Sequence, residues 1–361
     1  MKRMAALLLL CLLLTGCSWD SAEYYSATPH KVKEQKTDES IPAVSNYNEL
    51  YDAVADIVEK GAVTGRMSVE EYRSISLENN LSFVETDIIK RHPIGAYAVE
   101  SIEFEVGTAV GMNAVGVTVN YSRAPEELQG IKAAKDMEKA KTLIRETLTQ
   151  CDSALVMRVE NYQDTDLIQY IEDFAMQNPD VVMENPTVTV AVYPESGTDR
   201  VVDIRLAYRT SRESLREMQK YVQPVFTSAS LYVSSEEEGD IIKYARLYTF
   251  LMERNDYKVE TSLTPAYSLL RHGVGDNRAF ATVYAAMCRK AGLECLVVTG
   301  TRNADARCWN IIRDGDYYYH VDLLSPSGFI LYRDHQMTGY VWDYSAYPVC
   351  GVAQQPEKTE E

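Results

Sequence analysis

The alternation of apolar and polar residues predicts two similar pairs of strands in residues 45–230. Apolar side chains alternate from Val115 to Tyr121, and the same pattern recurs from Val202 to Tyr208. Each run follows an earlier alternating one, in 97–106 and 188–193, and precedes an acidic segment that can open a helix. Period-two alternation is typical of half-buried strands. We therefore predict two strand–hairpin–strand–helix units, whose likeness reflects either duplication or coincidence.

Helical periodicity replaces this alternation in residues 235–292. Ser235 and Glu238 have the spacing of a capping box before the first apolar helix. Thr264-Pro265 begins a second helix, because proline suits the first helical turn. A third helix begins after Gly275-Asp276 and ends at a glycine, as many helices do.

Three short apolar runs between residues 294 and 322 predict three strands. Asp314-Gly315 separates the last two and is a strong signal for a two-residue hairpin turn. A loop at these two residues would place Arg307 directly opposite Asp322, with Cys308 pointing to the other face of the sheet. The expected fold class is α+β: two strand–hairpin–strand–helix units, followed by helices packed on an antiparallel sheet.

The N-terminus resembles that of a bacterial lipoprotein. A basic start precedes an apolar stretch that is too short to span a membrane and ends in Leu14-Thr15-Gly16-Cys17, which resembles a lipobox. The resemblance implies removal of residues 1–16 and attachment of acyl chains such as palmitate to Cys17, and two or more chains anchor a protein stably. The alternative is an ordinary signal peptide that contains a cysteine. We expect a membrane-anchored, extracytoplasmic lipoprotein of the cell envelope, with a polar tether in 17–44 and an acidic tail in 353–361.

Composition narrows the partners further. The chain has 361 residues and a formal net charge of −17, which makes nucleic acid a poor partner. Besides Cys11 in the signal peptide and Cys17, it has an odd number of cysteines, so at least one thiol stays unpaired. None of these cysteines forms a metal-ligand spacing with a nearby histidine, and we predict neither a metal nor a cofactor.

Four motifs in residues 275–322 resemble the bacterial transglutaminase-like core, which shares the papain-like Cys-His-Asp arrangement. In chain order they are Gly275-Asp276-Asn277-Arg278-Ala279-Phe280-Ala281, Gly292-Leu293-Glu294-Cys295, Arg307-Cys308-Trp309-Asn310 and Tyr319-His320-Val321-Asp322. The family pattern has a cysteine third in the first motif, a histidine first in the third motif and an aspartate last in the fourth. The resemblance implies a transglutaminase-like domain in residues 231–352, after an α+β region in residues 45–230.

Two of the three catalytic positions of that pattern are replaced. Asn277 stands at the nucleophile position and Arg307 at the base position, and only Asp322 matches. An amide cannot attack an acyl carbon, and an arginine stays protonated, so the inherited site is expected to be a pseudoenzyme site. We hypothesise that Arg307 forks onto Asp322 and that the Asn277 carbonyl accepts another Arg307 donor.

Three functions are compatible with this sequence. The first is a binding or scaffold lipoprotein that holds a peptide, a cell-wall fragment or a protein in the papain-like cleft. The residues expected to line that cleft are Gly275, Asp276, Trp309, Asn310 and His320. The second is an active cysteine hydrolase or transamidase that uses a relocated residue, for which Cys288 and Cys308 are poorly placed. The third is a purely structural component of the envelope.

Overall fold

The computed structural model describes residues 41–72, 77–109, 112–234, 238–259 and 262–353. Helices and strands are mixed along these segments, which confirms the predicted α+β class. The predicted signal peptide, Cys17, most of the tether and residues 354–361 of the tail lie outside the described residues.

A three-stranded antiparallel sheet, in the order β1–β3–β2, forms the first part of the fold. Its elements are α1 (Tyr47–Glu59), β1 (Thr64–Ser68), α2 (Leu77–Arg91), α3 (Pro93–Ala98), β2 (Val99–Ala109), β3 (Met112–Tyr121) and α4 (Pro125–Gln129). Asn46 caps α1 by accepting a hydrogen bond from the Glu49 N–H. Leu50, Val54 and Val58 recur at helical spacing on α1, so one face of this helix joins the apolar core of the sheet.

A four-stranded sheet, in the order β4–β5–β7–β6, follows. Its elements are β4 (Lys132–Asp136), α5 (Met137–Thr149), β5 (Ala154–Asn161), α6 (Leu167–Gln177), β6 (Thr187–Tyr193) and β7 (Arg200–Ala207). Strand β4 runs parallel to β5, whereas β7 is antiparallel to both of its neighbours. The buried faces of α5 and α6 share one core with this sheet.

Both predicted hairpins are present, and the likeness between the two units extends beyond them. In each unit a helix and a strand precede the hairpin. In the first sheet, β3 lies between β1 and its hairpin partner β2. In the second sheet, β7 lies between β5 and its hairpin partner β6. The helices that follow the hairpins differ, because α4 has 5 residues whereas α7 (Arg212–Tyr232) has 21. The common topology is what duplication predicts.

The last part of the fold packs helices on a second four-stranded sheet, in the order β12–β11–β10–β13. After α7 its elements are α8 (Asp240–Met252), β8 (Asp256–Tyr257), α9 (Pro265–His272), β9 (Val274–Gly275), α10 (Asn277–Lys290), β10 (Cys295–Arg302), β11 (Asp305–Asp314), β12 (Tyr317–Val321) and β13 (Tyr340–Trp342). The predicted second and third helices correspond to α9 and α10. The first begins later than the Ser235 pattern predicts, at Asp240, with Gly239 as its N-cap.

Helix α10 is the centre of this part. All of its residues from Ala279 to Cys288 are buried, as expected of a helix enclosed on every side. It shares its core with α7, α8, α9 and one face of the β10–β12 sheet. The enclosure fixes the position of the N-terminal end of α10, where the motif around Asn277 lies.

The last residues of the predicted tether, 42–44, contact the first sheet. Ser68 of β1 donates its N–H to Pro42 O, and Val44 donates its N–H to Ser68 O. Val44 is also buried in the first core, so residues 42–44 belong to the fold. Among the helices that the structure describes, none has the length and apolar character needed to cross a membrane.

Candidate functional site

The N-terminal end of α10 presents the motif that begins at Gly275. Asp276 is the N-cap of the helix, and its Oδ1 accepts a hydrogen bond from the Ala279 N–H at 2.8 Å. Gly275 is buried where space is short, since a Cβ there would lie 3.0 Å from Ala279 Cβ and 3.1 Å from Leu269 Cδ1. These two residues set the direction of the turn into α10 and place Asn277 at its first position.

Arg307 and Asp322 form a bidentate ion pair. Arg307 Nη2 lies 2.7 Å from both Asp322 Oδ1 and Oδ2, and Nε lies 3.1 Å from Oδ2. The Asp322 side chain is 2% exposed and that of Arg307 is 13% exposed. The hypothesised fork of Arg307 onto Asp322 is therefore present, and it occupies a largely dehydrated position.

The carboxylate of Asp322 has two further donors and a second arginine nearby. The Leu324 N–H donates to Oδ1 at 3.0 Å, and the Tyr340 hydroxyl donates to Oδ2 at 2.5 Å. Arg302 Nη1 lies 3.8 Å from Oδ2. Burial, followed by the bond to this carboxylate, raises the pKa of Tyr340, so the phenol stays protonated as a donor. Both oxygens of Asp322 thus accept a hydrogen bond from another donor besides Arg307.

Asn277 has a different partner from the one expected. Its Oδ1 accepts a hydrogen bond from the backbone N–H of Cys308 at 2.9 Å, not from the Arg307 side chain. Cys308 points from β11 toward α10, on the face opposite Trp309, as predicted. The amide therefore ties the N-terminus of α10 to β11 beside Arg307, whose guanidinium bonds Asp322.

The predicted register of the hairpin is wrong by one residue on each strand. Asp314 pairs with Tyr317 and Asn310 pairs with Val321, so the loop residues are Gly315 and Asp316. Each residue of β11 is thus opposite a residue two positions further along β12 than predicted. Side chains two positions apart on a strand share a face, so each side chain keeps its predicted face. Asp322 directly follows the last residue of β12, and Arg307 of β11 reaches it diagonally.

Trp309, Asn310 and His320 do not line a cleft, contrary to the prediction. All three are 0% exposed. Asn310 Nδ2 donates to Ala281 O at 2.9 Å and to Leu296 O at 3.2 Å, which joins β11 to α10 and β10. Trp309 and His320 are covered by the returning C-terminal segment, in which Trp342 of β13 lies edge-on to both rings. Asp276 is the predicted residue that does line the cleft described below.

His320 belongs to a cluster with Asp334 and Cys350, whose ligand atoms lie within 4.8 Å of one another. The Trp309 Nε1–H can only donate, and it lies 3.0 Å from His320 Nδ1. The proton of the neutral ring is therefore on Nε2, which donates to Asp334 Oδ1 at 2.9 Å. Nε2 then has no lone pair for a metal or for the proton of a thiol, so this cluster fits neither a metal nor a nucleophile.

The described cysteines form no disulfide bonds. Cys151, Cys288, Cys295, Cys308 and Cys350 are all free and buried. Burial raises the pKa of the Cys308 thiol, and it raises that of Cys350 to about 12. A nucleophilic cysteine needs the opposite shift and an accessible sulfur.

A cleft of about 330 Å³ reaches the residues on either side of Asn277. One wall comes from the end of α6 and the segment before β6, and the other from the starts of α9 and α10. Its lining includes Met176, Met183, Glu184, Arg209, Asp276 and Arg278. The position of Arg278 next to Asn277 could have indicated its role, whereas nothing in the local sequence around Arg209 signals that it meets the same cleft.

Comparison with known proteins identifies a family for one part of the chain. A family model described as the transglutaminase-like superfamily matches residues 228–323. Similar solved structures include a TGase, with 8% identity, coverage of 61% of this chain and 63% of that chain, and a TM-score of 0.27. They also include a candidate cysteine protease from Cytophaga hutchinsonii, with 15% identity, coverage of 40% and 65%, and a TM-score of 0.26.

A candidate protease from Parabacteroides distasonis ATCC 8503 has 11% identity, coverage of 59% of this chain and 47% of that chain, and a TM-score of 0.24. The chain thus spans less than two thirds of the length of each of these structures. The sequence matches no curated protein at a significant level. The family match covers α8, α9, α10 and the β10–β12 sheet, including Asn277, Arg307 and Asp322. Residues 228–323 form a domain of the transglutaminase-like superfamily.

Proposed function

We propose that this chain is an exported lipoprotein whose transglutaminase-like domain binds a ligand without catalysing a reaction. The observation that carries the proposal is the bidentate bond between Arg307 and Asp322, at the positions that the family resemblance gives to the base and the acid. A guanidinium keeps its proton and cannot activate a nucleophile.

The surroundings of Asn277 support the same proposal. Its Oδ1 makes a structural hydrogen bond to the backbone of Cys308, so the side chain has a role that needs no chemistry. A site that had merely decayed would leave buried polar groups unpaired, each at a cost of about 1–3 kcal/mol. Here Arg307 is paired with Asp322, and Asn277 Oδ1 accepts from the Cys308 N–H. Among the described residues of the motifs, the buried Asn310 Oδ1 has no partner. The pairing of both replaced residues favours retention of the domain for another use.

The ligand that we propose is a peptide, a cell-wall fragment or a protein, bound in the cleft between α6 and the N-terminus of α10. Anchoring through acyl chains on Cys17 would hold the domain at the outer side of a membrane, and the polar tether would separate the two. The sequence Leu14-Thr15-Gly16-Cys17 supports this location.

Two other functions make different predictions. A cysteine hydrolase or transamidase that uses a relocated residue requires one thiol with a lowered pKa, whereas burial raises the pKa of Cys151, Cys288, Cys308 and Cys350. A purely structural envelope component requires neither a reactive thiol nor a ligand in the cleft.

Thiol reactivity tests the absence of catalysis. We would treat the chain of residues 18–361 with limiting iodoacetamide near pH 7 and map each alkylated cysteine by mass spectrometry. We expect every cysteine to react more slowly than a model thiol. One cysteine that reacts much faster would replace this proposal with an enzyme at that residue.

Lipid attachment is tested separately in cells that express the full precursor. Labelling with an alkyne analogue of palmitate is expected to mark the wild-type protein and to fail with Cys17→Ala. Equal labelling of the two proteins would contradict anchoring at Cys17 without affecting the proposal on the cleft.

A further inference from the structure

The cleft beside Asn277 has a distinctive distribution of charge. Two carboxylates and two guanidinium groups line it, those of Glu184, Asp276, Arg209 and Arg278. Its volume of about 330 Å³ is at the lower end of the range for small-ligand pockets, about 300–1,000 Å³. The chain as a whole has a formal net charge of −17, so a pair of arginines at one cleft stands out.

Both carboxylates accept hydrogen bonds from backbone donors. The Arg209 N–H and the Thr210 N–H donate to the two oxygens of Glu184, at 2.6 and 3.0 Å, and Glu184 is 4% exposed. Asp276 Oδ1 accepts the Ala279 N–H at the start of α10. These acids shape the wall of the cleft and hold the β7–α7 turn and the α10 N-terminus in place.

The two arginines, in contrast, have side chains with unused donors. Both are exposed, and within the described segments neither has a carboxylate within ion-pair distance. A guanidinium presents several N–H donors in a planar fork that matches a carboxylate. Arg209 follows β7 and Arg278 lies in the first turn of α10, so two separate segments of the chain each bring a cationic side chain to the lining of the cleft.

The remaining wall is partly apolar and also includes the polar residues Asn185, Thr187, Ser262 and Thr282. Met176 and Met183 line the cleft from the α6 side, and Pro265 lines it from the start of α9. Met176 is half-buried, and a methionine side chain adjusts to irregular partners, whereas Met183 is 2% exposed and belongs to the core behind the cleft. A ligand that fits both walls has an apolar group next to an anionic one.

We propose that this cleft binds a short peptide that carries one carboxylate beside an apolar side chain, with the carboxylate held by Arg209 and Arg278. The carboxylate is that of a chain end or of an aspartate or glutamate side chain. A phosphate dianion fits less well, because Glu184 and Asp276 stand in the same wall. The inference rests on the proposed function, since it names the ligand class of the same cleft.

Calorimetric titration of the chain of residues 18–361 with three peptides tests the proposal. The probes are acetyl-Ala-Leu-Ala with a free C-terminal carboxylate, the same peptide as its C-terminal amide, and the amide of acetyl-Leu-Glu-Ala. We expect saturable binding of at least one of the two peptides that carry a carboxylate, and binding of the uncharged amide that is weaker by about tenfold or more, the effect of one lost charged hydrogen bond. Which of the two carboxylate peptides binds more tightly separates a chain end from an acidic side chain.

Arginine variants locate the site. Arg209→Gln and Arg278→Gln are each expected to weaken binding of the carboxylate peptide about tenfold, with unchanged unfolding temperatures, because neither arginine has an ion-pair partner within the described residues to lose. Arg145→Gln is the matched control, since Arg145 is exposed on α5 and its side chain donates a hydrogen bond to Thr142 of the same helix. This control is expected to bind like the wild type.

Several results would overturn the inference. They are a lack of saturable binding of both carboxylate peptides up to roughly 10 mM, equal binding of the amide, wild-type affinity in both arginine variants, or stronger competition by inorganic phosphate than by acetate. A peptide that binds and is then cleaved would refute the non-catalytic proposal and leave the ligand class standing. Inert thiols together with a lack of peptide binding would refute the ligand class and leave the absence of catalysis standing.

Discussion

Arg307 and Asp322 are joined by a two-pronged ion pair, with Nη2 at 2.7 Å from each carboxylate oxygen, although the two residues are not opposite each other in the hairpin ladder. The carboxylate is 2% exposed and also bonds the Tyr340 hydroxyl and the Leu324 N–H. In the family pattern these positions belong to a proton acceptor and its orienting acid. In this chain the two positions hold an ion pair.

Removal of one partner of this pair should be costly. Arg307→Met would leave a buried, charged Asp322, and we expect a loss of about 3–5 kcal/mol in the free energy of unfolding, the usual cost of breaking a buried ion pair. Arg313→Met is the matched control, because Arg313 and Glu294 form a pair at 3.1 Å with side chains that are 48% and 42% exposed. That control should cost about 1 kcal/mol or less. Urea unfolding measures both, and similar losses in the two variants would contradict a special role for the Arg307 pair.

Restoration of the family residues should create a reactive thiol. In Asn277→Cys/Arg307→His the new cysteine lies at the first position of α10, where the helix dipole lowers a thiol pKa, and Asp322 can orient the new imidazole. We expect its alkylation by iodoacetamide near pH 7 to exceed that of Asn277→Cys alone by about tenfold or more, as thiolate populations differ by that factor per pKa unit.

Adding Asp322→Asn to Asn277→Cys/Arg307→His separates two causes of thiol reactivity. One is the imidazole oriented by Asp322, and the other is the dipole of α10. The third change should return the rate most of the way to that of the single Asn277→Cys variant. If the imidazole gives no acceleration at all, the three positions do not have the geometry of a catalytic site, and the description of the site as a replaced triad is wrong.

The sequence predicted the pairing of Arg307 with Asp322 even though its turn assignment was off. Side chains alternate faces along a strand, so moving the loop from residues 314–315 to 315–316 changed which residues are opposite but not which face they share. The partner of Asn277 was less accessible to this reasoning, because the sequence does not tell whether the side-chain carbonyl accepts from the Arg307 side chain or from the Cys308 N–H. Only three-dimensional positions decide between them.

The burial of Trp309 and the make-up of the cleft depend on contacts between distant segments. Strand β13 returns to pair with β10 and brings Trp342 over Trp309 and His320, and no local pattern announces that return. The cleft likewise joins Met183 and Arg209, from the sheet that contains β6 and β7, to Arg278 of α10. Motif reasoning from residues 275–322 alone could find one side of the cleft and not the other.

The buried His320 should make stability fall in mild acid. Burial, which outweighs the opposing effect of Asp334, lowers the pKa of His320. Protonation of His320 Nδ1 would also replace its hydrogen bond from the Trp309 Nε1–H with two N–H groups that face each other. Because the unfolded chain takes up a proton near pH 6.5 and the folded chain does so only at lower pH, this contribution to stability is complete above about pH 6.5 and is lost as pH falls toward the folded pKa.

Chemical unfolding between pH 8 and pH 5 checks this expectation through differences between variants. His320→Gln should remove part of the pH dependence seen in the wild type. Trp309→Phe keeps the histidine but removes the opposing donor, so its dependence should be shallower than that of the wild type. Parallel curves for all three proteins over this range would show that His320 does not titrate with the fold.

Glu59 should govern stability at lower pH. Its Oε1 lies 3.1 Å from His92 Nε2, and Arg158 Nη1 lies 2.7 and 2.8 Å from its two oxygens, so α1 is joined to β5. The hydrogen bond from His92, followed by the charge of Arg158, lowers the pKa of Glu59. Its contribution to stability is therefore present above the ordinary carboxyl value, about 4.3, and is lost as pH falls through the lower pKa of the folded state.

Glu59→Gln should flatten the fall in unfolding free energy below about pH 4.5, whereas Glu100→Gln, at an exposed position at the start of β2, should leave it unchanged. Equal flattening by both variants would mean that general charge repulsion, and not the bridge between α1 and β5, governs acid unfolding.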